Sequence, residues 1–412
     1  YMDDGKAIKR PKEKLFHSKT IFDGWRSITI ALYMALLGYA VVVGIPVISS
    51  AWVNLLGFSE VEVGRVAGAD LGGMSLGSLF ASLLLNRINR RFIVLAGIIM
   101  AVTANGLCMV YLDYDHVVWL RGFAGVGSGI YTSVALATLG GTARPARAFN
   151  MMLFAFAFTQ AAEMQILPQM SMNGIYTLFI SLYLISIPFL KWVPAKAAHK
   201  EDEIELDVEE AKNKHHFEQK YMPHYVPWIC LGAIFFTYIS IGTYWTYIEL
   251  ATVDAGVDAE FVGDMLVWAS FMSLCGCLVA TLISDRLGLI RPLLVTLSVV
   301  ALSVGIMMGN VSQFDFITSV FAFNFLWIFV DVYQMGAMSN YDPSGKHVSL
   351  IPGAQGVGQI VGPNIAATLL SYELGYDAVF MMCAIASLTG MLIYGWIYFK
   401  LRRTLPALAD AS

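Results

Sequence analysis

Four ionisable residues lie inside long apolar runs, where a charge is costly and is usually retained for a function: Asp70, Arg121, Glu163 and Asp331. Arg121 stands near the start of WLRGFAGVGSGIYTSVALATLGG, residues 119 to 141, and is followed by glycines at 122, 125, 127 and 129. A guanidinium in that position needs an anionic partner, and the glycines predict that another helix presses close. Counting ~1.5 Å per helical residue from the outer ends puts Arg121 about 6 Å deep, Glu163 about 10 Å and Asp70 about 13 Å. One cluster is therefore expected. Arg121 pairs with Asp70 or Glu163, and the carboxylate left over takes up and releases a proton when motion breaks the pair. The alternative is a permanent buried ion pair locking helices 2, 4 and 5.

A second set has the spacing of a solute-binding surface. Asn324, Trp327, Asp331 and Gln334 are spaced 3, 4 and 3 residues apart and share one helix face, which must turn to protein or water rather than lipid. On helix 4, Ser128 and Thr132 continue the face of Arg121 and Gly125. Helix 5 adds Gln160 three residues before Glu163, helix 7 adds Tyr244 and Trp245, and helix 1 offers Tyr33 and Tyr39 as its larger polar side chains. Hydrogen bonding or plain packing between neighbouring helices would explain the same residues.

The elements that must position these groups follow from composition. The chain is 57% hydrophobic and 14% charged, with a mean hydropathy of +0.65. A soluble domain would carry nearer a quarter charged residues, so the expectation is an all-α membrane protein. A spanning helix needs roughly 20 mostly apolar residues. Twelve such stretches run from 27 to 52, 61 to 85, 92 to 112, 117 to 141, 148 to 170, 173 to 193, 226 to 250, 260 to 284, 291 to 309, 315 to 339, 348 to 371 and 376 to 400. Of the 26 Lys and Arg, all but Arg65 and Arg121 lie in the tails, in the loops after helices 2, 4, 6, 8 and 10, or at the helix ends facing them. Basic loops stay in the cytoplasm, so both termini are expected there.

The expected organisation is a tail at 1–26, a six-helix bundle at 27–194, a cytoplasmic linker at 195–225, a second bundle at 226–400 and a tail at 401–412. The linker contains the acidic run EDEIELDVEE, which reads as a solvated connector or as a partner-binding segment. The long first span after a basic tail does not fit a cleaved signal peptide. All five cysteines fall in predicted spans and imply no disulfide, and Cys275 and Cys277 point to different helix faces, so no metal site is expected. Arg65 and Asp264 lie near the outer surface, where Arg65 is expected to reach the lipid headgroups, a gating role being the alternative.

Sliding the second half by 199 residues brings Gly64 onto Gly263, Gly77 onto Gly276, and Asn86-Arg87 onto Asp285-Arg286. Two six-helix halves related in this way mark a transporter whose site lies between them at the midplane. The loop after helix 2, SLLLNRINRR, keeps Arg87, Arg90 and Arg91 of a Gly…Asp-Arg…Gly-Arg-Arg pattern, and its second copy, TLISDRLGLIR, keeps Asp285, Arg286, Gly288 and Arg291. With Arg121, Gly125 and Gly127 on helix 4, these loops resemble those of the major facilitator superfamily. The resemblance covers all twelve helices and implies two pseudo-symmetric six-helix bundles, with helices 1, 4, 7 and 10 lining a central cavity. It also implies a conformational latch at Asn86, Arg87, Arg90, Arg91, Asp285 and Arg286. Ser82, Asn86 and Asn89 replace the usual glycine, aspartate and glycine, so the first latch lacks its carboxylate. The family's antiporter run of spaced glycines ending in Gly-Pro is absent from helix 5. A run of that kind, GAQGVGQIVGP, occurs in helix 11 instead.

These observations predict a secondary active transporter that moves a small organic solute across the bacterial inner membrane, or an equivalent plasma membrane, with proton coupling. It is expected to be a monomer, in contact with membrane lipid, with no nucleic-acid partner, no enzymatic activity and no cofactor. GVGSG and GAQGVG lack the lysine of a phosphate loop, so the energy would come from an ion gradient or from the solute's own. The acidic interior favours neutral, zwitterionic or cationic solutes. An organic-anion uniporter or exchanger using Arg121, a lipid translocase and a non-transporting receptor are the alternatives.

Overall fold

The structure, a computed structural model, describes residues 21–142, 145–195, 222–283, 286–341, 347 and 350–406. It is all helical, with twelve long helical elements in chain order. The first six are α1 (Trp25–Leu56), α2 (Glu60–Leu84), α3 (Arg90–Val110), α4 (Tyr114–Gly140), α5 (Pro145–Ile166) and α6 (Met172–Trp192). After the linker come α7 (Tyr225–Asp254), α8 (Ala259–Ile283), α9 (Ile290–Gly305), α10 (Gln313–Tyr341), α11 (Ile351–Ser371) and α12 (Gly375–Thr404). Among the described residues, nine of these are long and apolar enough to cross a membrane on length and composition alone. The other three, α5, α9 and α11, pack among them.

Local sequence sets several boundaries. Gly57, in the left-handed region at φ 71°, ends α1. Ser59 and Glu62 then form a reciprocal cap that starts α2, at 3.0 and 3.1 Å. Asn89 caps α3 by accepting a hydrogen bond from the Arg91 backbone N–H, and Ser171 caps α6. Asn89, where the superfamily pattern has glycine, thus has a local structural role.

Two helices are interrupted. α1 breaks at Tyr39 and α8 at Phe271. Pro46 lies inside α1 and has no N–H to offer the Val42 carbonyl one turn back. In a membrane such a freed carbonyl must find another donor. It finds one on α7, the Trp245 indole N–H at 3.1 Å.

Glycine spacing decides which helices touch. A Cβ on Gly125 would lie 2.2 Å from the Asp70 carbonyl oxygen, and one on Gly129 would lie 1.9 Å from that of Met74. α2 and α4 therefore meet backbone to backbone. α11 uses its glycines on two sides: Gly356 faces Ser75 of α2, while Gly358 and Gly362 face the α7 backbone at Phe235 and Ile239. The run GAQGVGQIVGP thus lets one helix fit tightly between two others. The expected linker falls almost wholly outside the described residues, as do most of the two tails.

Candidate functional site

The close approach of α2 and α4 brings Asp70 to Arg121. Arg121 donates to Asp70 Oδ2 from Nε at 2.8 Å and from Nη2 at 2.7 Å, and both side chains are 2% exposed. Its Nη1 donates to Asn105 Oδ1 on α3 at 2.7 Å, and the guanidinium lies 5.5 Å from the Tyr176 ring centroid on α6. The Tyr176 hydroxyl accepts from the Trp52 indole N–H at 3.2 Å. Four helices thus surround one cation, and acceptors meet it on several edges. The cluster expected from depth is corrected in one respect: Arg121 meets Asp70, and Glu163 lies elsewhere. Depth along a helix axis says nothing about which way a side chain points, and Glu163 points at α1, where a Cβ on Gly44 would lie 2.1 Å from its Oε2. Asn105 and Tyr176 were not anticipated. A lone asparagine in the apolar run VTANGLCMV was the available signal for the first.

Part of the second set lies where the first six helices meet the last six. Gln160 Nε2 of α5 donates to Asn324 Oδ1 of α10 at 2.9 Å, a direct bond across the interface. Trp327 meets Trp245 edge to face at 5.9 Å, and Phe323 lies 5.6 Å from Trp327. Asp331 is partly exposed and accepts a hydrogen bond from the Tyr238 hydroxyl of α7. Tyr39 of α1 is partly exposed and packs edge to face on Phe156 at 5.4 Å. The polar stripe of α10 is therefore shared between two tasks. Asn324 reaches across the interface, while Asp331 bonds Tyr238 and Gln334 bonds Thr237 at 2.9 Å, both on α7.

Other named residues are placed away from that interface. Tyr244 is fully buried between α7 and α10, its hydroxyl 2.7 Å from Ser319 Oγ. Ser128 and Thr132 return their hydroxyls to carbonyls of their own helix, at 2.9 and 2.6 Å. Thr132 also packs against Gly38 of α1 and is fully buried. Tyr33 turns to α6, where its hydroxyl donates to the Leu182 carbonyl at 2.5 Å. A one-letter pattern cannot tell a hydroxyl facing a cleft from one satisfied by its own helix.

The sequence profile of the Major Facilitator Superfamily matches residues 28–347. The chain belongs to the major facilitator superfamily. It is a multi-pass membrane protein and a secondary transporter of a small solute. Among solved structures, a crystal structure of a variant of the nucleoside transporter NupG is similar with a TM-score of 0.69 at 9% identity, covering 90% of this chain and 99% of that one. At that identity the likeness is one of fold. No curated protein sequence matches the chain.

For a member of the superfamily, the contacts between the two sets of six helices are informative. At the end opposite the basic loops they are closed. Trp245 reaches the Val42 carbonyl, and the Tyr247 hydroxyl donates to the Glu60 carbonyl at 2.7 Å. Arg65 bonds Asn364 Oδ1 at 2.8 Å and Thr368 Oγ1 at 3.3 Å on α11. Arg65 was expected among the headgroups; two acceptors within reach on α11 hold it at the interface instead. At the basic end, the first segment of α1 packs on α4, α5 and α6 of its own half. The latch residues there are placed differently from the family pattern. Arg91 donates to the Val193 and Lys191 carbonyls, both at 2.9 Å, tying α3 to the end of α6. Arg90 is buried with its guanidinium 5.3 Å from the Phe22 ring. Neither contact reaches the second half. Asn86, Arg87 and Arg286 are exposed, and Asp285 lies outside the described residues.

Proposed function

We propose that this transporter moves a small organic solute by alternating access through the cleft between α1–α6 and α7–α12, driven by a proton gradient. The observation that carries the reading is Asp331, a partly exposed carboxylate about two helical turns from the cross-interface contact of Asn324 and held by one phenol. A carboxylate with so few partners can gain and lose a proton as its surroundings alternate between wet and dry. Asp70 and Arg121 are held from several sides, and we read them as a fixed element of the first half. Tyr39, Gln160, Trp245, Asn324 and Trp327 would contact the solute. Their aromatic faces and neutral amides, beside one carboxylate, suit a neutral, zwitterionic or cationic molecule. Because the described donors of Arg121 are directed at Asp70 and Asn105, an organic-anion carrier built on Arg121 has less support. The distribution of basic residues favours both termini in the cytoplasm, and we propose a bacterial inner membrane or equivalent plasma membrane.

The test begins with a thermal-shift screen of metabolites and drugs, followed by flux of the best binder in proteoliposomes with and without an imposed pH gradient. Wild type should accumulate the solute with the gradient. Asp331→Asn should keep solute counterflow and lose gradient-driven accumulation. Full accumulation by Asp331→Asn would remove Asp331 from the coupling mechanism, and accumulation indifferent to the gradient in wild type would remove the proton.

A further inference from the structure

Glu163 has been displaced from the arginine cluster, and its new surroundings form a site of their own. α1, α5 and α6 enclose a cavity of about 280 Å³ on the flank of the first half. Its walls are apolar side chains such as Leu37, Ile166, Phe179 and Leu182, with Tyr33, Thr159 and Glu163 as the polar ones. The Tyr33 hydroxyl donates to the Leu182 carbonyl and the Thr159 hydroxyl to the Ala155 carbonyl. Glu163 Oε2 is buried and has no hydrogen-bond partner among the described residues. It fits there because position 44 is glycine, with no Cβ to exclude it. The cavity lies near Ala162, which is exposed, and Ile166, which is 50% exposed, so it adjoins the outward surface of α5 toward the end opposite the basic loops.

A carboxylate oxygen buried without a partner is expensive unless the group is neutralised or meets a cation. A metal ion is a poor candidate: calcium takes six to eight oxygen ligands and magnesium about six, and no group of three or more metal-ligating side chains exists among the described residues. An anion would meet the carboxylate's charge. A compact organic cation with an apolar body matches every wall, since its head can face Glu163 and the Tyr33 and Phe179 rings while its tail lies on the aliphatic side chains. A diacyl lipid is too large for the volume.

We propose that this crevice is a second binding site, separate from the central cleft, for a lipophilic ammonium ion that enters from the lipid-facing flank and pairs with Glu163. The site is independent of the transport reading above, because it can be measured as binding alone.

The experiment is isothermal titration of the full chain in lipid nanodiscs with 4-phenylbutylamine, and with 4-phenylbutan-1-ol as its uncharged counterpart. The amine should bind more tightly than the alcohol. Glu163→Gln should weaken the amine by about tenfold or more, as expected when one partner of a desolvated charge pair is removed, and leave the alcohol unchanged. Ala162→Trp, a substitution at an exposed position beside the cavity, should block both ligands while keeping the melting temperature. Asp331→Asn in the central cleft should leave amine binding within about twofold, because the two sites share no residue. Equal affinity for amine and alcohol, retained affinity in Glu163→Gln, or loss of the amine in Asp331→Asn would each overturn the proposal. The last result would place the amine in the central cleft and leave the transport reading intact.

Discussion

The Asp70–Arg121 cluster of the first half holds its charges differently from the α7–α10 face of the second. Around Arg121, an aspartate, an asparagine and an aromatic ring converge from α2, α3 and α6, and the ion pair is 2% exposed. Around Asp331 there is one phenol and a partly exposed surface. A fully bonded buried network fixes geometry, because every alternative arrangement leaves a polar group without a partner. A sparsely bonded group has little to lose by changing its protonation or its neighbours. The contrast assigns rigidity to the Asp70–Arg121 cluster and responsiveness to the α7–α10 face.

Stability measurements can break that contrast. The largest effect is expected for Arg121→Ala, which leaves Asp70 buried without its cation and should cost about 3–5 kcal/mol. Thermal unfolding in detergent would read this as a large fall in melting temperature, and the double variant Arg121→Met with Asp70→Leu should recover much of it. A small loss for the single variant would mean that the cluster opens easily and is no lock. An intermediate effect is expected for Trp245→Phe. It keeps an aromatic ring but removes the donor that meets the Val42 carbonyl freed by Pro46, at roughly 1–3 kcal/mol for an unsatisfied buried acceptor. The same variant should speed alkylation of a cysteine placed in the cleft from the side opposite the basic loops, since it loosens a contact that closes that end. The smallest effect is expected for Asp331→Asn, which keeps an acceptor for Tyr238 and should change stability by less than about 1 kcal/mol. A loss as large as that of Arg121→Ala would erase the difference between the two regions.

Much of the fold was legible in the chain. Twelve apolar runs and the placement of basic residues predicted the helices and their order, because length and hydrophobicity are properties of a segment taken by itself. The glycines after Arg121 predicted a close neighbour; α2 meets Gly125 and Gly129, and α3 meets Gly127. Pro46 was a readable signal that went unused: a proline within a span frees a carbonyl, and that carbonyl bonds the only indole in the TYWTYIEL stretch. Exact helix ends were less accessible. α9 stops at Gly305, short of the expected 309, and α7 runs on to Asp254.

The candidate site was legible as a list of residues and much less as an arrangement. Sequence alone determined that Asp70, Arg121, Glu163 and Asp331 lie within long apolar helices and that the chain repeats itself, since both follow from spacing along one dimension. Only the tertiary structure decided that Arg121 takes Asp70 and Asn105, that Glu163 faces Gly44 across a separate crevice, and that Arg65 bonds α11. Each of those choices depends on the rotation of one helix about its axis relative to another. That rotation is set by glycine contacts and side-chain packing between distant segments, which no single segment encodes.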